Sequence, residues 1–269
     1  MKLSTILLNL RSLTVVVSIC LVLLLTGCNS TVTQNIHLKY GNPSGANNNP
    51  NNYLITKPEY AIAYNCKKGI ANWASWQLDR SWLGRTERSD NFMPSTELPE
   101  DCYSVRPSDY RRSGYDRGHL VPSGDRTRSQ TDNESTFVMT NMIPQSPSNN
   151  REVWRELEEY SRELAYQGKE LYIIAGTKGI AKKIAQSRVV VPKFTWKVIL
   201  VLDEPNREIT AQNAQAIAVW IPNSEEVQNT DWQEYITSVD WLEKKTGYNF
   251  FAELSRGIQN QIEQAPYLQ

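Results

Sequence analysis

The residues best suited to chemistry lie in one stretch, which opens with Asp116-Arg117-Gly118-His119 and closes with Asn149-Asn150-Arg151. An imidazole can act as a general base near neutral pH, because its unperturbed pKa is about 6.5. Amide and carboxylate oxygens are the ligands that hard divalent cations prefer, and guanidinium groups bind phosphate oxygens. The stretch therefore combines a candidate base, candidate metal ligands and cations suited to phosphate.

The chain has only two histidines, His37 and His119. His37 lies in a polar segment in which we expect no fixed geometry, so His119 is predicted to be the only histidine of the folded domain. A single histidine excludes zinc catalysis by several imidazole ligands. A structural histidine in the core is the alternative for His119. The preceding Asp116-Arg117-Gly118 favours a functional role, since glycine allows close backbone approach.

The sequence around His119, Gly114-Tyr115-Asp116-Arg117-Gly118-His119-Leu120-Val121-Pro122-Ser123, resembles the DRGH signature of the sugar-non-specific DNA/RNA endonucleases. These enzymes belong to the ββα-metal nucleases. Further blocks resemble the family in the same order, and they are Trp82-Leu83-Gly84, Glu87 to Phe92, Thr140 to Gln145, Asn149-Asn150-Arg151, Trp154 to Leu164, Gly168 to Ile173 and Val191-Pro192-Lys193. The resemblance extends over residues 53–258 and is strongest to the exported cyanobacterial members.

The resemblance implies roles for the residues that match the motif. His119 resembles the general base that deprotonates the attacking water. Arg88 and Arg117 resemble the two arginines near the scissile phosphate, and by type alone Arg88 would be a surface ion-pairing residue. Asp116 matches the first position of the motif, where it is expected to support the site.

The resemblance also implies one Mg²⁺ or Mn²⁺ ion per site, with Asn150 as its protein ligand and Glu158 binding a metal-bound water. Asn150, Trp154 and Glu158 are spaced i, i+4 and i+8, which places them near one side of a helix. Asn149 is the alternative ligand. The alternatives to Glu158 are the neighbouring acidic residues, whose spacing is more typical of solvated charge; they are Glu152, Glu156 and Glu159.

The implied function is hydrolysis of DNA and RNA phosphodiesters, without sugar or strong sequence specificity, leaving 5′-phosphate ends. The formal net charge is zero, so attraction of a polyanion must be local. Four arginines are candidates for extending the electrostatic footprint, with ordinary surface charge as the alternative; they are Arg111, Arg112, Arg126 and Arg128. A competing interpretation is a catalytically weak nuclease-like module that binds nucleic acid at a surface. A third interpretation is a phosphodiesterase for small substrates, which would require a closed pocket.

The elements around these residues predict one α+β domain over residues 53–269, with a mostly antiparallel sheet flanked by helices and a ββα-metal active-site element. Alternating and apolar runs predict strands, and these include residues 58–64, 72–78, 137–142, 171–176, 189–203 and 214–221. Pro192 is expected to bend or split its strand. Residues 148–166 read as a helix with a packed apolar face, and shorter helices are predicted near residues 237–245 and after Phe250.

The N-terminus reads as a targeting segment. Residues 13–25 form an uncharged apolar run that is too short to span a bilayer, which needs about 20 residues. The following Leu25-Thr26-Gly27-Cys28 resembles a bacterial lipobox; an ordinary signal peptide cut nearby is the alternative. Residues 1–28 are therefore predicted to be a signal peptide, and the Asn-rich residues 29–52 a flexible tether. We expect an exported protein, periplasmic or extracellular, tethered to a membrane through lipidated Cys28.

Two cysteines, Cys66 and Cys102, fall within the predicted domain. An exported protein meets an oxidising compartment, so a disulfide between them is predicted, with two buried free thiols as the alternative. The cysteine spacing is not typical of a zinc site, which usually brings cysteines in close pairs.

Overall fold

The computed structural model describes residues 35–205 and 207–267. The predicted signal peptide, the lipobox-like Cys28 and residues 29–34 of the predicted tether lie outside this part of the chain. Eleven strands are found in it: β1 (Tyr53–Thr56), β2 (Ala61–Asn65), β3 (Ile70–Leu78), β4 (Asp116–His119), β5 (Met142–Gln145), β6 (Glu170–Lys178), β7 (Lys182–Ile184), β8 (Val189–Val191), β9 (Phe194–Leu202), β10 (Ala214–Pro222) and β11 (Ile236–Thr237).

Seven of these strands form one antiparallel sheet in the order β1-β2-β3-β6-β9-β10-β11. The two-stranded pairs β4-β5 and β7-β8 lie outside it. Pro192 ends β8 and separates it from β9, because proline cannot donate to a ladder; the predicted split is confirmed. The prediction of a mostly antiparallel α+β fold is also confirmed.

The same described residues contain four α-helices: α1 (Gln130–Ser135), α2 (Trp154–Tyr166), α3 (Val239–Thr246) and α4 (Arg256–Ile262). Alternate side chains of the sheet enter two apolar clusters, since successive strand residues point to opposite faces. Trp76 packs in one cluster with residues of β5 and α2, whereas Trp196 packs in the other with residues of α3 and α4. In the described chain, no helix has the length and apolar character needed to cross a membrane.

The strand predicted over residues 137–142 is wrong for most of its length. Met139–Asn141 form a 3₁₀ turn, and β5 begins only at Met142. The buried Asn141 accounts for the turn: its Oδ1 accepts from the N–H of Val121, and its Nδ2 donates to the carbonyls of Val121 and Thr136, all at 2.9 Å. A side chain that bonds to the backbone in this way competes with a strand ladder.

The prediction of a flexible tether is wrong for residues 35–52, because the compact unit begins at Asn35. Ala46 is buried, and Trp73 Nε1 donates to Ser44 Oγ at 2.8 Å. The backbone carbonyl of Asn51 accepts hydrogen bonds from the amides of Asn65 and Asn72 at 2.8 and 2.9 Å. The asparagines are therefore bonded to the sheet rather than to water alone, which offsets their ordering entropy.

His37 belongs to the same docked segment, so His119 is not the only histidine of the folded domain, contrary to the prediction. Only 2% of His37 is exposed; its Nε2 donates to the carbonyl of Pro58 at 2.8 Å, and its Nδ1 accepts from the N–H of Gln77 at 3.0 Å. These two bonds specify a neutral ring. Burial lowers the pKa of His37 to about 4, against the effect of the Pro58 bond.

We expect acid to destabilise the protein through His37. Below pH 6.5 His37 is protonated in the unfolded chain, whereas in the folded protein its ring stays neutral down to about pH 4. Stability is therefore lost as pH falls through this window, by about 3 kcal/mol for His37 alone. Urea unfolding at a series of pH values measures this loss in the free energy of unfolding. His37→Gln, which keeps a donor for Pro58, should show a correspondingly shallower loss; an equal loss in the variant would contradict the assignment.

The predicted disulfide is confirmed, since Cys66 and Cys102 are bonded, with Cα atoms 5.1 Å apart. It joins the chain just after β2 to the long loop between residues 83 and 113, which carries Arg88. The bond closes a loop with a sequence separation of 36 residues.

Reduction of this disulfide should lower the free energy of unfolding by about 3–4 kcal/mol, because the unfolded chain regains the entropy of an open loop. Urea unfolding with and without dithiothreitol measures the difference. A Cys66→Ser/Cys102→Ser variant should be insensitive to dithiothreitol, and sensitivity that persists in it would exclude this bond as the cause.

Candidate active site

Two short strands and one helix form the core of the site. β4 pairs antiparallel with β5, and His119 lies opposite Met142. The indole Nε1 of Trp154, the first residue of α2, donates to the carbonyl of His119 at 3.3 Å. This bond connects the helix to the strand that carries His119, and it completes a ββα element.

Gly118 is required by close packing between β4 and β5. A Cβ atom at this position would lie 2.0 Å from Oε1 and 2.7 Å from Cβ of Gln145. Gln145 is fully buried and donates through Nε2 to Asn149 Oδ1. The amide of Asn149 in turn donates to Thr195 Oγ1 at 3.1 Å and to the carbonyl of Pro222 at 2.8 Å. Gly118 thus lets the motif strand approach a buried amide chain.

Gly118→Ala should destabilise the protein by about 1–3 kcal/mol, because the added methyl group has no space. It should also lower activity, since His119 is the next residue. Thermal unfolding and a cleavage assay on the same preparation test both effects. Gly257→Ala is the matched control, because a Cβ there meets nothing within 4 Å; an equal loss in both variants would contradict the packing argument.

His119 lies between two aromatic rings, with ring centroids 5.8 Å from Phe92 and 4.9 Å from Phe137. Its Nε2 is buried without a hydrogen-bond partner in the described part of the chain. His119 also lines a cavity, together with Asn150 and Glu158. Burial, with the charges of Arg88 and Arg117, lowers the pKa of His119 to about 3. The imidazole is therefore neutral and able to accept a proton.

The two predicted arginines flank this histidine on the same rings. The guanidinium carbon of Arg117 lies 3.9 Å from the ring centroid of Phe92, and that of Arg88 lies 4.9 Å from the ring centroid of Phe137. Arg88 also donates to Asp90 at 2.6 Å and to Ser123 Oγ at 2.8 Å. Both arginines remain exposed, so their free N–H groups are available to phosphate oxygens.

Asp116 orients Asn150. Its Oδ2 accepts from Asn150 Nδ2 at 2.9 Å, and both its oxygens accept from Arg151 at 2.7 Å. Burial alone would raise the pKa of Asp116, but the bonds from Arg151 and Asn150 outweigh it, and the pKa lies below its usual value. The donor end of the Asn150 amide is thus occupied by Asp116, which leaves the carbonyl oxygen as the acceptor end. Asn149 points instead into the buried chain described above.

Glu158 lines the same cavity as His119 and Asn150. Burial raises its pKa to about 7, against the opposing charges of Lys197 and Arg162. The alternative carboxylates differ in their contacts. Glu152 accepts from the backbone N–H of Asn229 at 2.9 Å, and Glu159 also lines the cavity but is paired with Arg155 at 3.1 Å.

The predicted helix over residues 148–166 has two parts. Asn149–Val153 form a π-helical turn, and the α-helix begins at Trp154. A π turn contains an extra residue per turn, so a spacing of i+4 from Asn150 does not map onto the face of a regular helix. Asn150 and Glu158 nevertheless line one cavity.

Two cavities of about 580 and 490 Å³ share Arg88, Arg117 and Asn150 in their walls, so they form one extended cleft. Arg111 lines the larger of these two cavities, and a third cavity is lined by both Arg111 and Arg112. Arg126 is fully buried and donates to the carbonyls of Glu59, Gln77 and Asp125, so it cannot belong to the surface footprint. Arg128 is paired with Asp132 at 2.8 Å.

Sequence reasoning missed three residues of this site. Phe92 and Phe137 contact His119 and the two arginines, but nothing in an isolated aromatic residue indicates such contacts. Arg162 lines the cavity of His119 and pairs with buried Asp125 at 3.0 Å. It follows Glu158 by four residues on a helix, so its position could have been predicted from the helical spacing.

The ββα element, with its histidine, amide and two arginines, defines the class of ββα-metal nucleases. The chain belongs to the DNA/RNA non-specific endonuclease family, whose sequence profile matches residues 38–257. The predicted family is thereby confirmed, and membership in it makes the chain a nuclease.

Individual relatives agree with this assignment. A nuclease from Nostoc sp. is 50% identical over 260 residues, which cover 90% of this chain and 94% of that protein. The mitochondrial nuclease EXOG of Xenopus laevis is 31% identical over 212 residues, covering 73% of this chain and 58% of that protein. A chain in the structure of the EndoG/EndoGI complex shares the fold, with a TM-score of 0.70 at 23% identity, over 84% of this chain and 93% of that one.

Proposed function

We propose that this protein is an exported, metal-dependent endonuclease that hydrolyses DNA and RNA without sugar or strong sequence specificity and leaves 5′-phosphate ends. One observation carries the proposal: a neutral histidine, an amide oxygen and two exposed arginines converge on one extended cleft. The cleft is lined mainly by polar and charged groups, which suits a phosphate backbone.

The donor set fits a hard divalent cation. The Asn150 amide presents its oxygen because Asp116 occupies its nitrogen, and the carboxylate of Glu158 lines the same cavity. Oxygen donors of this kind suit Mg²⁺ or Mn²⁺, which retain several waters when they bind. We assign one ion per site, held by Asn150, with Glu158 bonded to a water of its shell. When bound, the ion supplies charge neutralisation at the phosphoryl and leaving oxygens.

His119 accepts the proton of the attacking water, and Arg88 and Arg117 hold the phosphate and stabilise the negative charge that develops on it. The pKa of His119 is low partly because of these two arginines. A bound phosphate places negative charge beside them, which offsets their effect and raises the basicity of His119. Substrate binding therefore makes His119 a stronger base, as proton removal from the attacking water requires.

Recognition through phosphate explains activity on both nucleic acids. The groups assigned to the reaction contact phosphate rather than a base edge or a 2′-hydroxyl, so they carry no sequence information. Arg111 and Arg112 continue the positive lining beyond the catalytic cavity, and they extend the backbone contact.

Purified protein incubated with supercoiled plasmid and with RNA, in the presence of Mg²⁺, tests the proposal. Both substrates should be degraded, EDTA should stop the reaction, and added Mg²⁺ or Mn²⁺ should restore it. Polynucleotide kinase should label the 5′ ends of the products only after phosphatase treatment, because a 5′-phosphate blocks the label. Binding of both nucleic acids without cleavage would contradict the enzymatic function and support a surface module that binds nucleic acid.

Export and anchoring rest on the N-terminal sequence. The apolar run before Leu25-Thr26-Gly27-Cys28 supports a signal peptide that ends at a lipidated cysteine. Mass measurement of the mature N-terminus tests this. A chain that begins with acylated Cys28 supports the anchor, whereas an unmodified terminus elsewhere excludes it.

A further inference from the structure

Three carboxylates meet where the two C-terminal helices join. Asp240 and Glu243 lie one turn apart on α3, and Glu263 follows directly after α4. One carboxylate oxygen from each lies within 4.8 Å of the others. The backbone fixes this arrangement, because the N–H of Asp240 donates to the carbonyl of Glu263 at 3.1 Å. The helices pack on the sheet face opposite the one that carries α2.

Glu263 is buried without the partner that its burial requires. It is only 5% exposed, and its Oε1 has no hydrogen-bond partner among the described residues. Within residues 35–205 and 207–267, no lysine or arginine forms an ion pair with Asp240, Glu243 or Glu263. A buried carboxylate beside two others is costly unless a proton or a cation offsets its charge.

We propose that Asp240, Glu243 and Glu263 form a calcium site that clamps α3 to α4. Ca²⁺ binds oxygens at about 2.3–2.6 Å, so two oxygens on one ion lie at most ~5 Å apart, and the three carboxylate oxygens satisfy this limit. Glu243 already accepts from the N–H of Phe250 at 2.7 Å, which fixes the direction of its carboxylate. Asp240 and Glu243 are half-buried, so waters can complete the shell.

Calcium suits this arrangement better than magnesium does. Ca²⁺ accepts six to eight oxygens in flexible geometry, whereas Mg²⁺ demands a regular octahedron and sheds water reluctantly. The rival to a cation is a proton, because burial and the charges of Glu243 and Asp240 raise the pKa of Glu263 to about 7. High pH disfavours the proton, so calcium binding should be most evident at pH 8.

Thermal unfolding of the full chain at pH 8, after removal of metals with EDTA, tests the site against added CaCl₂. At about ten times the dissociation constant, Ca²⁺ should raise the Tm by about 3–6 °C. The measurement uses an Asn150→Ala background, so that calcium in the catalytic cleft does not contribute. Terbium supplies a direct readout, since Trp241 lies beside Asp240 in sequence and can sensitise its luminescence.

Glu263→Gln should abolish both the shift and the terbium signal while leaving Mg²⁺-dependent cleavage unchanged in the chain with native Asn150. Asp240→Asn, at a half-buried position, provides a second variant in case Glu263→Gln does not fold. Glu253→Gln, an exposed neighbouring position, should behave as the parent. The proposal is overturned by no calcium shift in the parent at pH 8, which leaves only a shared proton, or by an equal shift in the Glu263 and Asp240 variants.

Discussion

His119→Ala is expected to lower the cleavage of both DNA and RNA by about two to four orders of magnitude, the usual contribution of a general base. The nucleic acids should still bind, because Arg88 and Arg117 are untouched. Removal of the ring also opens space between Phe92 and Phe137, where its centroid lies 5.8 and 4.9 Å from theirs. Added imidazole should enter this space and restore part of the rate, with a pH dependence that follows the pKa of imidazole.

His37→Gln is the matched control, because His37 is the other histidine in the sequence and is also buried. Its bonds go to the backbones of Pro58 and Gln77, so its loss should weaken stability at neutral pH without changing the rate per folded molecule. Single-turnover cleavage at 25 °C, on protein shown to be folded by circular dichroism, measures both variants. A His119→Ala protein that cleaves at the parental rate would remove His119 from the base role.

The fold was largely accessible from sequence, because each long strand carries its own signal. β3 alternates apolar and polar residues, and β6 and β10 are mainly apolar, so each can be read without knowledge of its partners. The Ser238 cap and Gly247 mark both ends of α3. The failures have a common physical cause. Residues 35–52 and the turn at Asn141 are held by asparagine amides bonded to distant backbone, and composition alone cannot reveal such partners.

The site shows the same division. Resemblance to the family indicated which residues belong to the candidate site, since the DRGH strand and the Asn-Asn-Arg segment follow the family pattern. It could not indicate that a π turn lies between Asn149 and Val153, nor that Phe92 and Phe137 support the charged groups. Those features depend on how separate segments pack, and packing is a tertiary property.

Asn150→Ala is expected to reduce cleavage by about 100-fold or more, because loss of a ligand should cost at least as much as loss of a residue that orients one. The residual activity should need a higher Mg²⁺ concentration for half-maximal rate. Stability should change little, since Asn150 is only partly buried and its side-chain bond goes to Asp116, which retains Arg151. A Mg²⁺ titration of the cleavage rate, together with urea unfolding, measures these effects.

Asn149→Ala makes the comparison decisive, because the same substitution one residue earlier should have the opposite profile. Asn149 is fully buried and bonded to Gln145, Thr195 and Pro222. Its truncation leaves buried polar groups without partners and should cost about 2–4 kcal/mol of stability. The folded fraction should keep the parental Mg²⁺ dependence, because Asn150 remains oriented by Asp116. If instead the metal titration moves with Asn149 and not with Asn150, the ligand assignment is wrong by one residue. The π turn that contains both residues is then the feature to reconsider, because it sets which of the two amides faces the cleft.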